Sequence, residues 1–122
     1  MTTFRDLKAW QKGMDLSVAI YLHTEAFPAD ERFGLISQMR RASVSIPANI
    51  SEGRGRDHVK EFLHFIAIAI GSLNELETLL ILSERLGFGI FDLDLQARCS
   101  ETGKLLHGLR NALKKQLPAE RI

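Results

Sequence analysis

SQMRRASVSIPANISEGRGR, residues 37–56, keeps a helical rhythm straight through a proline. With the preceding Ile36, the series Ile36, Met39, Ser43, Ile46 and Ile50 recurs every three or four positions, the spacing of one helix face. Pro47 cannot donate to the carbonyl of Ser43, and its ring crowds that turn, a cost of about 3 kcal/mol in a regular helix. The spacing therefore predicts a helix from about Asp30 that bends near Pro47 and continues until Gly53 and Gly55 end it. Ser43, Ser45 and Asn49 are the expected donors and acceptors for the backbone groups that the proline frees.

Three further helices surround this one. The first is expected from about Arg5 to Glu25, opened by a Thr3/Asp6 cap and faced by Leu7, Trp10, Met14, Ser17 and Tyr21. Phe27-Pro28 breaks it. The third is expected from a cap at Asp57 to Leu86, before Gly87. Its seam is Val59, Phe62, Ile66, Ala69, Leu73, Leu76, Leu80 and Ser83, close to a heptad repeat. The fourth is expected from about Leu93 to Gln116, with Leu105, Leu109 and Ala112 as its stripe. Short connections between long amphipathic helices predict an all-α, antiparallel up-down four-helix bundle forming a single domain over residues 1–122. Gly13, Gly71, Gly103 and Gly108 fall inside helices, where close helix approach is the expected compensation for their low propensity.

The bulk numbers agree with one ordinary globular domain: 122 residues, 45% hydrophobic and 25% charged. The longest unbroken apolar run, Phe65 to Ile70, is too short to span a bilayer, and the first ten residues lack the apolar core of a signal peptide. Cys99 is the only cysteine, which excludes an intrachain disulfide and makes the cytoplasm the expected compartment. The net charge of +1 hides an uneven distribution: +2 over residues 30–56, −3 over 57–87 and +2 over 88–122.

The third helix has more apolar surface than one seam uses. Leu63, Phe65, Ile68, Ile70, Ile81 and Leu82 lie beside or away from the main stripe, and a second copy of the chain is the expected cover.

Catalytic chemistry finds no support. Glu61-x-x-His64 occurs once, on the side away from the seam, where it cannot share a central di-metal site. His58 and His64 point to different sides of a helix, and His23 and His107 are expected at the surface or an interface. Cys99 is expected as a small buried residue. No phosphate-binding loop or dinucleotide fingerprint is present, so neither cofactor nor metal is expected. Glu75 and Glu77 point apart and are expected to pair with arginines of the second helix; Arg40 or Arg41 is expected to pair with Glu52, Glu75 or Glu77, with the structural role put first for Arg40.

The remaining basic residues suit an anion. Arg54 and Arg56 flank the turn into the third helix, where backbone N–H groups and guanidinium forks could hold phosphate. Arg41, Lys104, Arg110, Lys114 and Lys115 extend this basic set, giving a weak, salt-sensitive surface. No exposed aromatics interleave with it in the sequence, so base stacking is not expected. The expected function is a non-enzymatic homo-oligomeric module that binds RNA, DNA or a ribonucleoprotein; the alternative is an oligomeric protein-interaction scaffold without nucleic-acid binding.

The chain also resembles a known family. Phe4, Leu7, Trp10, Gln11 and Lys12 form its N-terminal motif. Phe27-Pro28, Glu31, Gly34-Leu35, Gln38, Arg40-Arg41-Ala42, Ser45-Ile46-Pro47, Asn49-Ile50, Glu52-Gly53 and Arg56 form its middle. Glu61-Phe62, Phe65, Ala69, Gly71-Ser72-Leu73 and Glu75-Leu76-Glu77 supply the third helix. These resemble the four-helix bundle proteins encoded in 23S rRNA intervening sequences, with Ser51 departing from a common Ala. The resemblance implies a cytosolic bacterial bundle that assembles as a ring, a pentamer by preference. It makes Arg40, Ser45, Pro47, Asn49, Glu52, Gly53 and Glu75 motif residues of the fold. It implies no enzymatic activity. A related branch comprises accessory proteins of diversity-generating retroelements, which bind a reverse transcriptase and nucleic acid.

Overall fold

The computed structural model describes residues 3–118. Four helices make the bundle: α1 (Lys8–Thr24), α2 (Ser37–Arg54), α3 (Val59–Arg85) and α4 (Leu93–Lys114). No strand occurs among the described residues. α2 packs against α1 and α3, α4 against α3 and α1, which closes the antiparallel bundle around one core.

The Thr3/Asp6 capping box forms, but it opens a single 3-10 turn, Phe4–Asp6. Extended backbone at Leu7 then separates that turn from α1. The buried face of α1 is Ala9, Gly13, Leu16, Ser17, Ile20 and Thr24. Of the expected stripe, Ser17 is buried and Leu7 and Trp10 pack against the core, but Met14 and Tyr21 are 41% and 43% exposed. Small residues explain the error. Gly13 and Ser17 let α2 approach closely, and a Cβ on Gly13 would sit 3.3 Å from Ile46 and 3.5 Å from Pro47.

α2 begins later than the sequence suggests. A 3-10 turn (Ala29–Glu31) and a π-type turn (Arg32–Ile36) precede it, with non-helical backbone at Gly34 (φ −102°, ψ −112°). The Glu31 carboxylate accepts from the Leu35 N–H at 3.1 Å, and a Cβ on Gly34 would meet that carboxylate at 2.7 Å. From Ser37 onward the expected stripe is correct, and the α-helix runs unbroken past Pro47. The Ser43 carbonyl freed by Pro47 is satisfied from outside its own helix: Ser17 Oγ of α1 lies 2.9 Å away. Ser45 ties α2 to α3, its hydroxyl meeting that of Ser72 at 2.8 Å, and Asn49 supports it from within α2 by bonding its carbonyl and its hydroxyl. Gly53 lies within α2, where a Cβ would stand 2.7 Å from the Cβ of Phe65.

α3 starts at Val59, and His58, not Asp57, is its cap, without a side-chain hydrogen bond. Seven of the eight expected seam residues are buried, and Val59 packs against the core. Gly87 (φ +79°) ends the helix, with its N–H on Glu84 and that of Phe88 on Ser83, the paired bonds of a Schellman motif. By length and composition α3 is apolar enough to cross a bilayer, which its longest unbroken run understates. The α4 stripe also differs from expectation. Leu95, Cys99, Thr102, Leu106 and Leu113 are buried, Leu105 and Leu109 lie at the edge of the core, and Ala112 is exposed. Gly103 approaches Leu73 closely, whereas Gly71 and Gly108 have nothing within 4 Å.

Candidate nucleic-acid interface

Antiparallel topology decides which charges meet. The start of α1, the end of α2, the start of α3 and the end of α4 share one end of the bundle. Arg54, Arg56, Lys114 and Lys115 therefore converge there, together with Arg5 and Lys8. Those two escaped the sequence reading because nothing local links residues about a hundred positions apart; only the return of α4 beside α1 does. The end is not uniformly basic, since Asp6, Glu52, Asp57 and Glu61 lie there too. Arg56 is engaged on both sides, 3.2 Å from Glu52 and with its guanidinium 5.0 Å from the Phe65 ring centroid. Arg54 is half-buried, while Lys114 and Lys115 are exposed.

Other members of the expected basic set lie elsewhere. Lys104 is exposed midway along α4. Arg110 is half-buried, with its Nε enclosed and without a hydrogen-bond partner, so it is a poorer surface cation than its neighbours. Arg41 is exposed one turn into α2, about 20 Å along the helix from Arg54 at 1.5 Å per residue.

Arg40 has a structural role with partners that the sequence reading did not foresee. Its Nε donates to Thr24 Oγ1 at 2.9 Å and a terminal nitrogen to the Tyr21 carbonyl at 3.3 Å. The guanidinium also lies 4.6 Å from the Tyr21 ring centroid. A cation thus binds the carbonyl end of α1, where the helix dipole favours positive charge. The acids it was expected to meet do otherwise. Glu75 accepts from Gln38 at 3.5 Å, Glu52 pairs with Arg56, and no ion pair among the described residues joins Glu75 or Glu77 to α2.

Glu61 and His64 are both exposed, and no group of three metal-ligating side chains occurs among the described residues. His107 is exposed and His23 is half-buried. It packs on Phe27 at 5.4 Å, and its Nε2 is buried without a partner. Burial pushes its pKa below the ordinary value, with Asp92 pulling the other way. Cys99 is buried, and desolvation, assisted by Glu77, pushes its thiol up to about 12, which suppresses thiolate reactivity.

Two apolar surfaces remain open. Leu63 and Ile70 of the expected α3 interface pack against the core, and Phe65 is half-buried over Gly53 and Arg56. Ile68, Ile81 and Leu82 stay 39–47% exposed. The larger surface lies between α1 and α2, a groove of about 410 Å³ lined by Met14, Val18, Tyr21, Leu22, Val44 and Pro47. The sequence carried a signal for it: Val18 and Leu22 fit no core stripe of the first helix.

Residues 5–108 match the family model of the 23S rRNA-intervening sequence protein. The chain belongs to that family. No curated protein matches it. In this member of the 23S rRNA-intervening sequence protein family the matched span begins in the capped turn before α1 and ends within α4. It takes in the Arg40 lock, the Pro47–Gly13 contact and the α1–α2 groove. Lys114 and Lys115, at the end of α4, lie beyond it.

Proposed function

We propose that the protein is a non-enzymatic, homo-oligomeric module that binds nucleic acid or a ribonucleoprotein through basic residues gathered at one end of its bundle. The observation that carries this reading is the meeting of Arg5, Lys8, Arg54, Arg56, Lys114 and Lys115 at that end. Mixed charge makes the surface weak and salt-sensitive. Two different exposed apolar surfaces, the α1–α2 groove and the Ile81/Leu82 ridge of α3, support self-association. A contact between unlike patches is head-to-tail and gives a ring when its rotation closes, the arrangement that the pentamer suggested by the family resemblance requires. Kinship with the accessory proteins of diversity-generating retroelements, a bacterial cytoplasmic location and the absence of a membrane, cofactor or metal partner belong to the same reading.

Reversing Lys114 and Lys115 to Glu should weaken binding of RNA and DNA at low salt and flatten its salt dependence, measured by fluorescence anisotropy. Absence of binding by the parent protein at 50 mM salt would reject the reading. The alternative is an oligomeric scaffold for a protein partner, favoured by the breadth of the α1–α2 groove. It predicts an assembly disrupted by Val18→Glu, seen by light scattering, with no affinity for nucleic acid.

A further inference from the structure

At the opposite end of the bundle, aromatic rings and arginines come together that are scattered in the sequence. Tyr21 of α1 faces Arg40 and Arg41 of α2, and the π-type turn before α2 adds Arg32 and Phe33. They surround a depression of about 290 Å³, with Ser37 beside them and no acidic residue in its lining. Phe33 is 87% exposed, the most exposed large apolar side chain among the described residues. The backbone break at Gly34 sets its direction: Leu35 and Ile36 turn inward and Phe33 turns out. The Arg32 guanidinium lies 5.5 Å from the Phe33 ring centroid. The Tyr21 ring is held under Arg40, which is itself fixed by its bonds to Thr24 and the Tyr21 carbonyl.

The geometry points to a binding site for single-stranded nucleic acid, in which a base stacks on Phe33 while Arg32 and Arg41 hold the adjoining phosphates. An exposed aromatic ring among cations, with no carboxylate in the lining, combines the two contacts that unpaired strands use, stacking and phosphate neutralisation. A duplex exposes base faces only at its two ends, so the site selects unpaired over paired strands. The expectation that base stacking is absent concerned the basic set around Arg54 and Lys114; the site proposed here lies at the other end of the bundle, where Phe33 is exposed beside Arg41. It rests on the nucleic-acid reading above and adds a second contact point remote from Lys114 and Lys115.

The test compares a labelled 20-nucleotide single-stranded oligonucleotide with the matching duplex by anisotropy, using the full chain. Phe33→Leu keeps the apolar volume and removes the aromatic face. It should weaken single-strand binding about tenfold and leave duplex binding unchanged. Phe33→Trp should retain affinity and show quenching of the added indole on single-strand binding. Arg32→Gln with Arg41→Gln should reduce the slope of log affinity against log salt by about 1.4, the loss of two phosphate contacts on a single strand. Circular dichroism of each variant should match the parent, because the three positions are exposed. Parent binding that Phe33→Leu leaves intact would overturn this site while sparing the basic end. Parent protein that binds no strand would overturn both. A Phe33→Leu change that alters the oligomeric mass instead of binding would identify the ring as a subunit contact and reject the proposal.

Discussion

Pro47 removes the N–H that would reach the Ser43 carbonyl, and Ser17 on the neighbouring helix donates to that oxygen at 2.9 Å. The same hydroxyl lies 3.0 Å from the Gly13 carbonyl, so one proton serves two acceptors, both buried. Ser17→Ala should therefore cost about 1–3 kcal/mol, the penalty of a buried acceptor left unpaired. The cost should shrink in a Pro47→Ala background, where residue 47 regains its own N–H, and a double-mutant cycle by urea denaturation would reveal the coupling. His23 gives a second test. Its folded pKa is lowered, so as pH falls the unfolded chain takes up the proton first. The stability linked to neutral His23 is complete above the unfolded value of about 6.5 and is lost as pH falls through the folded one. His23→Leu should flatten the dependence of Tm on pH between about 7 and 5, a range above most carboxylate titration. An unchanged slope would remove His23 from the acid response.

Helix contacts assign opposite consequences to one substitution. A Cβ on Gly53 would meet the Cβ of Phe65 at 2.7 Å and the Phe62 ring at 2.9 Å, at the crossing of α2 and α3. Phe65 cannot retreat without moving the backbone of α3, so Gly53→Ala should destabilise by about 1–3 kcal/mol. Gly71 sits in the middle of α3 with nothing within 4 Å. Gly71→Ala should stabilise the protomer by about 1 kcal/mol through helix propensity alone. Urea midpoints of the two variants should move in opposite directions. The seam of α3 was legible in the sequence because Phe62, Ile66, Leu73, Leu76 and Leu80 are large and regularly spaced. The faces of α1 and α4 were partly misplaced because Gly13, Thr24 and Thr102 occupy buried positions there. Small or polar residues carry little hydrophobic signal, yet they let backbones approach and bond across the interface.

At the scale of the molecule, alternating helix direction separates two cationic regions. Arg54, Arg56, Lys114 and Lys115 share one end with Arg5 and Lys8, while Arg32, Arg40 and Arg41 lie toward the other with Tyr21 and Phe33. If both ends hold strands independently, combining Phe33→Leu with Lys114→Glu and Lys115→Glu should give additive losses of binding free energy, because the sites lie well beyond 10 Å apart. The apolar surfaces proposed for self-association, the α1–α2 groove and the Ile81/Leu82 ridge, lie on the sides of the bundle. Val18→Glu in the α1–α2 groove should lower the mass found by light scattering without altering helix content.

The sequence by itself determined four helices, their order, the core stripes of α2 and α3, and membership of the family. Those follow from periodicity and from motifs within single segments, which need no partner to be recognised. Only the tertiary structure decided what Arg40 binds, which residue satisfies the carbonyl freed by Pro47, and where the aromatic rings stand among the arginines. Each of these joins side chains of different segments. Their geometry is fixed when Gly13 lets α1 and α2 close together and when Gly34 turns Phe33 away from the core.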